Sequence, residues 1–491
     1  MNVDAYIRRN QKKFLTAIKI LARIKNLSKR ATLFHKLSFI LYRHATDIYY
    51  IPELEHTFIE LANKISTKLP ETFIPQSTLH VLTTSYLTGG HTRCAERWIA
   101  LSPKTELHSC LIIKQHGPIP QRLFEVCSDH GGKVIILDRN LSLTEAAKQL
   151  RINASNYSKI ILYTHPNDPT PIVAFATPQF LRPVIYFNHA DHIFWLGRSI
   201  SDVVAEINSS GKRLSEEYRC AHSYLLGIPP DTTAKTTPIQ QEITSLLPKD
   251  KKIIFSSGDN SKFLPIGESN FSVIIETIFS IEQDICFVIL GANKKNSFWK
   301  QLKARYKNNL LLLESLPYDK YISCLQKADI VIDSFPIGGG TAIIDAINYN
   351  IPVLSFKPLH QSDFVMDSEC NCATLSDLRN KTINILTSES YRKTFSEKLK
   401  SSYETTQGVS SWLIRKDQLI SSLPTHHSIK ILSKAYFSEC PKEHTKRFLL
   451  WIEPGAGNLS YRIIDLIRWC RFIFTCIIVY LKKEKHNNFS N

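Results

Sequence analysis

Short apolar runs recur along this chain between stretches of helical length, and after a polar break the same rhythm starts again. That repetition constrains the fold more than any single motif. The first series comprises His80–Ser85, Cys110–Lys114, Lys133–Leu137, Lys159–Thr164 and Pro183–Phe187. The second comprises Lys252–Ser257, Ile285–Leu290, Leu310–Leu313, Ile330–Ser334 and Pro352–Ser355. Strands alternating with helices predict parallel, doubly wound sheets, one for each series. The break is polar and carries Pro229-Pro230 and Thr236-Thr237-Pro238, which reads as a linker. The expected organisation is a helical, basic region over 1–76 and an N-terminal Rossmann-like domain over 77–228. A linker over 229–252, a second Rossmann-like domain over 253–425 and a helical, basic tail over 426–491 follow. The fold class is therefore α/β, two Rossmann-like domains with a cleft between them and helical extensions at both ends. In such sheets ligands bind beyond the carboxyl ends of the strands, so chemistry is sought in the loops there.

The formal net charge is +17, and the excess is concentrated at the ends. The first 45 residues hold eleven Lys/Arg against the single acid Asp4, and the last 51 hold nine against four acids. Phe14, Ile18, Leu21 and Ile24 share a helical face flanked by Lys12, Lys13, Lys19, Arg23 and Lys25. Two readings follow: a helical cap packed on the next domain, or a helix lying on an anionic membrane surface. No nucleic-acid module is visible, so no nucleic-acid partner is expected. The eleven cysteines form no paired framework, and only Cys370 and Cys372 are close together, as expected in a reducing compartment. No signal peptide is visible, and the most apolar run, Phe472 to Leu481, is about half of what a helix needs to span a bilayer. The expected location is cytoplasmic, peripheral on the inner face of the membrane.

The strongest motif is Ile330–Asp345, IVIDSFPIGGGTAIID. An apolar strand runs into Gly338, Gly339 and Gly340, and Thr341 then opens a helix. The glycines allow close approach of a ligand to the backbone, and the helix N-terminus offers unpaired N–H groups and partial positive charge. Together they suit a diphosphate. Thr341 can offer its hydroxyl to the same oxygens, and Asp345, one turn on, can accept from ribose hydroxyls. A second motif, Ile253–Pro265, IIFSSGDNSKFLP, ends a strand at Ser257 and places Lys262 three residues before a proline.

These two segments resemble the donor site of glycosyltransferases of the two-Rossmann-domain, or GT-B, architecture. They look most like the catalytic region of O-linked N-acetylglucosamine transferases and related bacterial protein glycosyltransferases. The resemblance spans about residues 78–425. In that family the corresponding loop and helix carry His-Thr-Thr at the diphosphate and an Asp at the ribose. Thr341 and Asp345 match two of these positions, while Gly340 and Ala342 depart from the His and the second Thr. The family also has a Lys before a Pro in the place of Lys262. The tetratricopeptide array of the O-linked N-acetylglucosamine transferases is absent from the sequence. The resemblance implies a nucleoside-diphosphate sugar, UDP-linked, as co-substrate, with no other cofactor and no metal. It also implies Lys262 as the cation that neutralises the leaving nucleotide.

Three further loops follow strands of the first series. Thr88–Arg93, TGGHTR, brings Gly89, Gly90 and His91 to the place where GT-B enzymes commonly carry a glycine-rich loop. Tyr186–Gly197, YFNHADHIFWLG, packs His189, Asp191 and His192 into four residues. Metal binding by these three is one reading, without an evident fourth ligand. The better one is an acceptor-side loop whose Asp191 or His189 takes the acceptor proton during transfer. His165 and Asp168, in HPNDP, are further cleft candidates. The expected acceptor is a glycan, a lipid-linked sugar or a protein. A UDP-sugar 2-epimerase and a non-catalytic sugar-nucleotide-binding module at the membrane are the alternatives.

Overall fold

The computed structural model describes residues 3–42, 46, 48–87, 90–191, 193–231, 239–265, 269–336, 338–356 and 370–432. Two parallel sheets form its centre. The first contains β1 (Ile74–Leu82), β2 (Leu107–Ile112), β3 (Val134–Ile136), β4 (Tyr157–Tyr163), β5 (Val184–Asn188), β6 (Val203–Glu206) and β7 (Ser223–Leu225), in the order β3-β2-β1-β4-β5-β6-β7. The second contains β8 (Lys252–Ser257), β9 (Ile285–Leu290), β10 (Leu310–Leu313), β11 (Ile330–Ile332), β12 (Val353–Phe356) and β13 (Asn371–Cys372), in the order β10-β9-β8-β11-β12-β13. Ladder pairing is parallel throughout both sheets. Such strands need helices on both faces, which is why ICFVIL of β9 is buried at every position.

Each strand expected from the apolar runs is present, most with ends shifted by a few residues; β8, β9 and β10 have the expected limits. β1 starts six residues before the expected His80, because Pro75, Gln76, Ser77 and Thr78 interrupt the apolar run that begins the strand. β6, β7 and β13 had no counterpart in the expectation. They are short strands of four, three and two residues on the far side of each sheet.

In each sheet the strand order reverses direction once, between β1 and β4 and between β8 and β11. Adjacent crossovers there leave to opposite sides and open a crevice at the carboxyl ends of the strands. Gly90, which starts a helix, lies after β1, His165 after β4, Lys262 after β8 and the glycine loop after β11.

The N-terminal region forms three helices, Val3–Ala22, Leu27–Leu41 and Pro52–Asn63, that pack on the first sheet. The apolar stripe Phe14, Ile18 and Leu21 is buried in that contact, as the helical-cap reading requires. Arg8, Arg9, Lys12, Lys13, Lys19, Arg23 and Lys25 remain exposed on the other side. Two buried charges fasten this layer. Glu55 accepts from the backbone N–H groups of Gly197, Arg198 and Ser199 at 2.8, 3.1 and 2.7 Å. Arg151 donates to the carbonyls of Ala62, Ile65, Val173 and Ala174. Burial pushes the Glu55 carboxyl above its ordinary range, opposed by these bonds. Glu55→Ala is expected to leave three buried donors unpaired and to lower stability by about 2–4 kcal/mol. A urea titration followed by circular dichroism would measure it, and an unchanged midpoint would contradict this account.

The segment expected as a plain linker does structural work. Asp231 is buried between the halves, and the short helix Gln241–Thr244 packs on the second half, with Gln240 N donating to Ser323 Oγ at 2.9 Å. The last helix of the second series, Val409–Ser421, returns to the first half. Trp412 meets Trp98 edge-on at 5.3 Å, and Arg415 Nε donates to the Leu226 carbonyl at 2.9 Å. Beyond it, His427 Nδ1 lies 2.8 Å from Asp202 Oδ2, and Lys430 donates to Asp202 Oδ1 at 3.1 Å. Residues 426–432 form no helix, contrary to the expected helical tail. The rest of the expected basic tail, including Phe472–Leu481, lies outside the described residues. Among the described residues no helix is long and apolar enough to cross a membrane.

Candidate functional site

A cavity of about 340 Å³ opens between the two halves, a volume within the range of small-molecule sites. Its second-half wall contains Ser257 and Lys262 after β8, Gly339 and Gly340 after β11, and Thr341 and Asp345 on the helix Thr341–Asn348. The glycine loop therefore faces the cleft. Lys262 is half-buried beside it, with Nζ donating to the Gly338 carbonyl at 3.3 Å. Desolvation lowers the Lys262 pKa, opposed by Asp333 and Asp259. The Thr341 helix is preceded by Gly340, and among the described residues no side chain caps it. Its first N–H groups are not consumed by a side-chain cap, as an anion site requires.

Asp333, which the motif contains but which the sequence reading did not single out, holds the loop in place. Its Oδ1 accepts from Gly339 N at 2.7 Å and its Oδ2 from Ser355 Oγ at 3.1 Å. Burial pushes its pKa up to about 6, opposed by the Gly339 bond and by Lys262. Gly291, after β9, has φ +93°, and a Cβ there would stand 1.9 Å from the Gly258 carbonyl oxygen. A residue without a side chain is needed for the two loops to meet beside Lys262.

The first half supplies the opposite wall. A Cβ placed on Gly90 would stand 4.0 Å from Thr341 Cγ2, so the helix Gly90–Ala100 begins directly across from the Thr341 helix. Farther along the same pair of helices, Arg97 Nη2 donates to Asp345 Oδ1 at 2.7 Å and to Asp231 Oδ2 at 3.1 Å. Arg93 donates to Asp231 Oδ2 and to Glu96 Oε2, both at 2.7 Å, and its guanidinium lies 3.9 Å from the Tyr318 ring centre. Tyr318 OH donates to Asp231 at 3.0 Å. Asp345 thus stands in the cavity wall as expected but already holds an arginine of the other half. Burial raises its pKa, opposed first by Arg97. Sequence reading missed Arg97, Asp231 and Tyr318. The one available signal was the cluster Arg93, Glu96 and Arg97 at i, i+3 and i+4 along one helix.

The first-half candidates divide into two groups. His91, His165 and His189 come from the loops after β1, β4 and β5 and converge. His91 stacks on His189 at 5.2 Å between ring centres and lies 6.0 Å from His165. Tyr86 stacks on His165 at 6.0 Å, with OH 3.3 Å from Nε2. His91 is tied to the Thr84 carbonyl at 3.0 Å, and burial pushes its pKa down to about 4, so its ring is neutral near pH 7. Asp168 is buried below them, accepting from Thr83 Oγ1 at 2.6 Å and from Thr170 N at 2.9 Å. Asp191 points elsewhere. It is buried, and its Oδ2 accepts from Asn208 Nδ2 at 3.1 Å, next to a network in which Asn188 and Ser215 bond Glu206. Gly89 and His192 lie outside the described residues.

The sequence matches no family model and no curated protein. Solved structures do resemble this one. A glycosyltransferase from Rickettsia africae aligns with 70% of this chain and 98% of its own, at 11% identity and a TM-score of 0.54. Anabaena HepE, solved in complex with UDP and glucose, aligns with 70% of this chain and 100% of its own, at 14% identity and a TM-score of 0.55. An O-GlcNAc transferase from Thermobaculum terrenum, as a mutant, aligns with 82% of each chain at 12% identity and a TM-score of 0.47. With two parallel α/β sheets facing one another across a cleft, this chain has the fold of the GT-B glycosyltransferases.

Proposed function

We propose that this chain is a glycosyltransferase that transfers a sugar from a nucleoside-diphosphate donor, UDP-linked, to an acceptor of the cell envelope, a polysaccharide or lipid-linked sugar, or to a protein. The observation that carries this reading is the uncapped, glycine-led N-terminus of the Thr341 helix, with Lys262 beside it in the wall of an interdomain cavity. Backbone N–H groups, helix partial charge and a fixed ammonium together suit a diphosphate whose charge grows as the glycosidic bond breaks. Neutralisation by these groups requires no metal ion. HepE binds UDP in the same fold, which favours UDP here.

On the acceptor side the base is assigned to His189. It stacks on His91, the residue after Gly90, whereas Asp191 accepts from Asn208. The exposed basic face of the N-terminal helices suits an anionic surface, and so an acceptor held at the inner face of the membrane, but its apolar stripe is occupied by packing.

Thermal-shift assays with UDP-, GDP-, dTDP- and CMP-sugars test the donor, because a ligand bound only by the native state raises the melting temperature. A UDP-sugar response is expected, and the absence of any response would remove the reading. In single-turnover transfer to candidate acceptors, His189→Ala is expected to keep donor binding and to slow transfer by a factor of about 10² or more. Unchanged transfer by that variant would remove His189 from the mechanism. Epimer formed from UDP-N-acetylglucosamine without acceptor would assign the site to the epimerase alternative instead.

A further inference from the structure

Arg97 is almost completely buried, at 1% exposure, and lines the cavity. Its Nη2 is committed to Asp231 and Asp345. Its Nη1 and Nε have no hydrogen-bond partner among the described residues. A buried guanidinium with donors unspent is costly, and ligand contact is a common reason for retaining one. The surroundings point to an anion. A Cβ on Gly90 would stand 4.0 Å from Thr341 Cγ2, so the helices Gly90–Ala100 and Thr341–Asn348 bring their N-termini together at the cavity. Two helix N-termini of like partial charge, with Lys262 added, favour a negatively charged group between them.

We propose that Arg97 is a donor-binding residue supplied by the N-terminal half. Its Nη1–H takes an oxygen of the nucleoside diphosphate while Nη2 stays on Asp345 and Asp231. The donor is then held from both halves, and its phosphates tie the first helix of one to the donor helix of the other. This rests on the nucleotide-sugar reading and adds to it a phosphate contact across the cleft.

Arg97→Lys tests it, because a lysine keeps one cation for Asp231 and Asp345 but lacks the second donor nitrogen. UDP and uridine are titrated calorimetrically into the full-length wild type and the variant. The variant is expected to bind UDP about tenfold or more weakly, with uridine changed by less than about twofold. A UDP-to-uridine affinity ratio equal to that of the wild type would overturn the proposal. Should the variant not fold, hydrogen exchange on the wild type decides the matter. UDP is expected to raise protection in the helix Gly90–Ala100 as well as in residues 338–345. Protection confined to residues 338–345 overturns the proposal and leaves the functional reading standing. A wild type that binds no nucleoside diphosphate overturns both.

Discussion

Lys262→Ala is expected to remove most of the thermal stabilisation that a UDP-sugar confers. The ammonium sits beside the glycine loop and is half-buried, so a diphosphate there gains a charge-assisted bond from it. Such a bond is worth about 1.5–3 kcal/mol, or roughly 10- to 100-fold in affinity. At a ligand concentration of about 100 Kd the wild type gains about 2.7 kcal/mol by mass action. A 100-fold loss of affinity leaves about 0.4 kcal/mol at the same concentration. Lys262 makes no ion pair within 4 Å among the described residues, so the unliganded variant should melt close to the wild type. A full ligand shift in Lys262→Ala would place the phosphates somewhere else.

Asp231→Ala is expected to give the largest loss of stability of any single change at the cleft. Asp231 receives Arg93, Arg97 and Tyr318 in a buried setting between the two halves. Removing one partner of a buried ion network leaves charge uncompensated and costs about 3–5 kcal/mol, more than replacing the whole network by apolar groups. The melting temperature should fall on the order of 5–10 °C. Trp98 and Trp412 meet at the interface of the halves, so tryptophan fluorescence should report the change. Asp231→Asn keeps an acceptor for Tyr318 and should cost less. If both variants melt with the wild type, the network contributes no net stability and serves only to orient Arg97.

The second-half wall of the cavity was legible because its parts are local in sequence. Strand, three glycines and helix N-terminus follow one another within sixteen residues, and each has a composition that signals its backbone role. The first-half cluster was legible only as a set of candidates. His91, His165 and His189 were singled out because they follow strands, and the parallel sheet brings their loops to one edge. Asp191 sits two residues from His189 yet turns into the Asn208 network, since neighbours along a loop need not face the same way.

The sequence by itself determined the two parallel sheets, the places of their main strands along the chain and the glycine turn after β11. Each of these follows from hydrophobic periodicity and backbone chemistry within a few dozen residues. Only the tertiary structure decided what crosses the cleft. Arg97 meets Asp345 across 248 residues of chain and Asp231 across 134. A charged residue on a helix carries no local mark of such a partner, because the pairing arises from how the two halves dock and not from the segments that contain the charges.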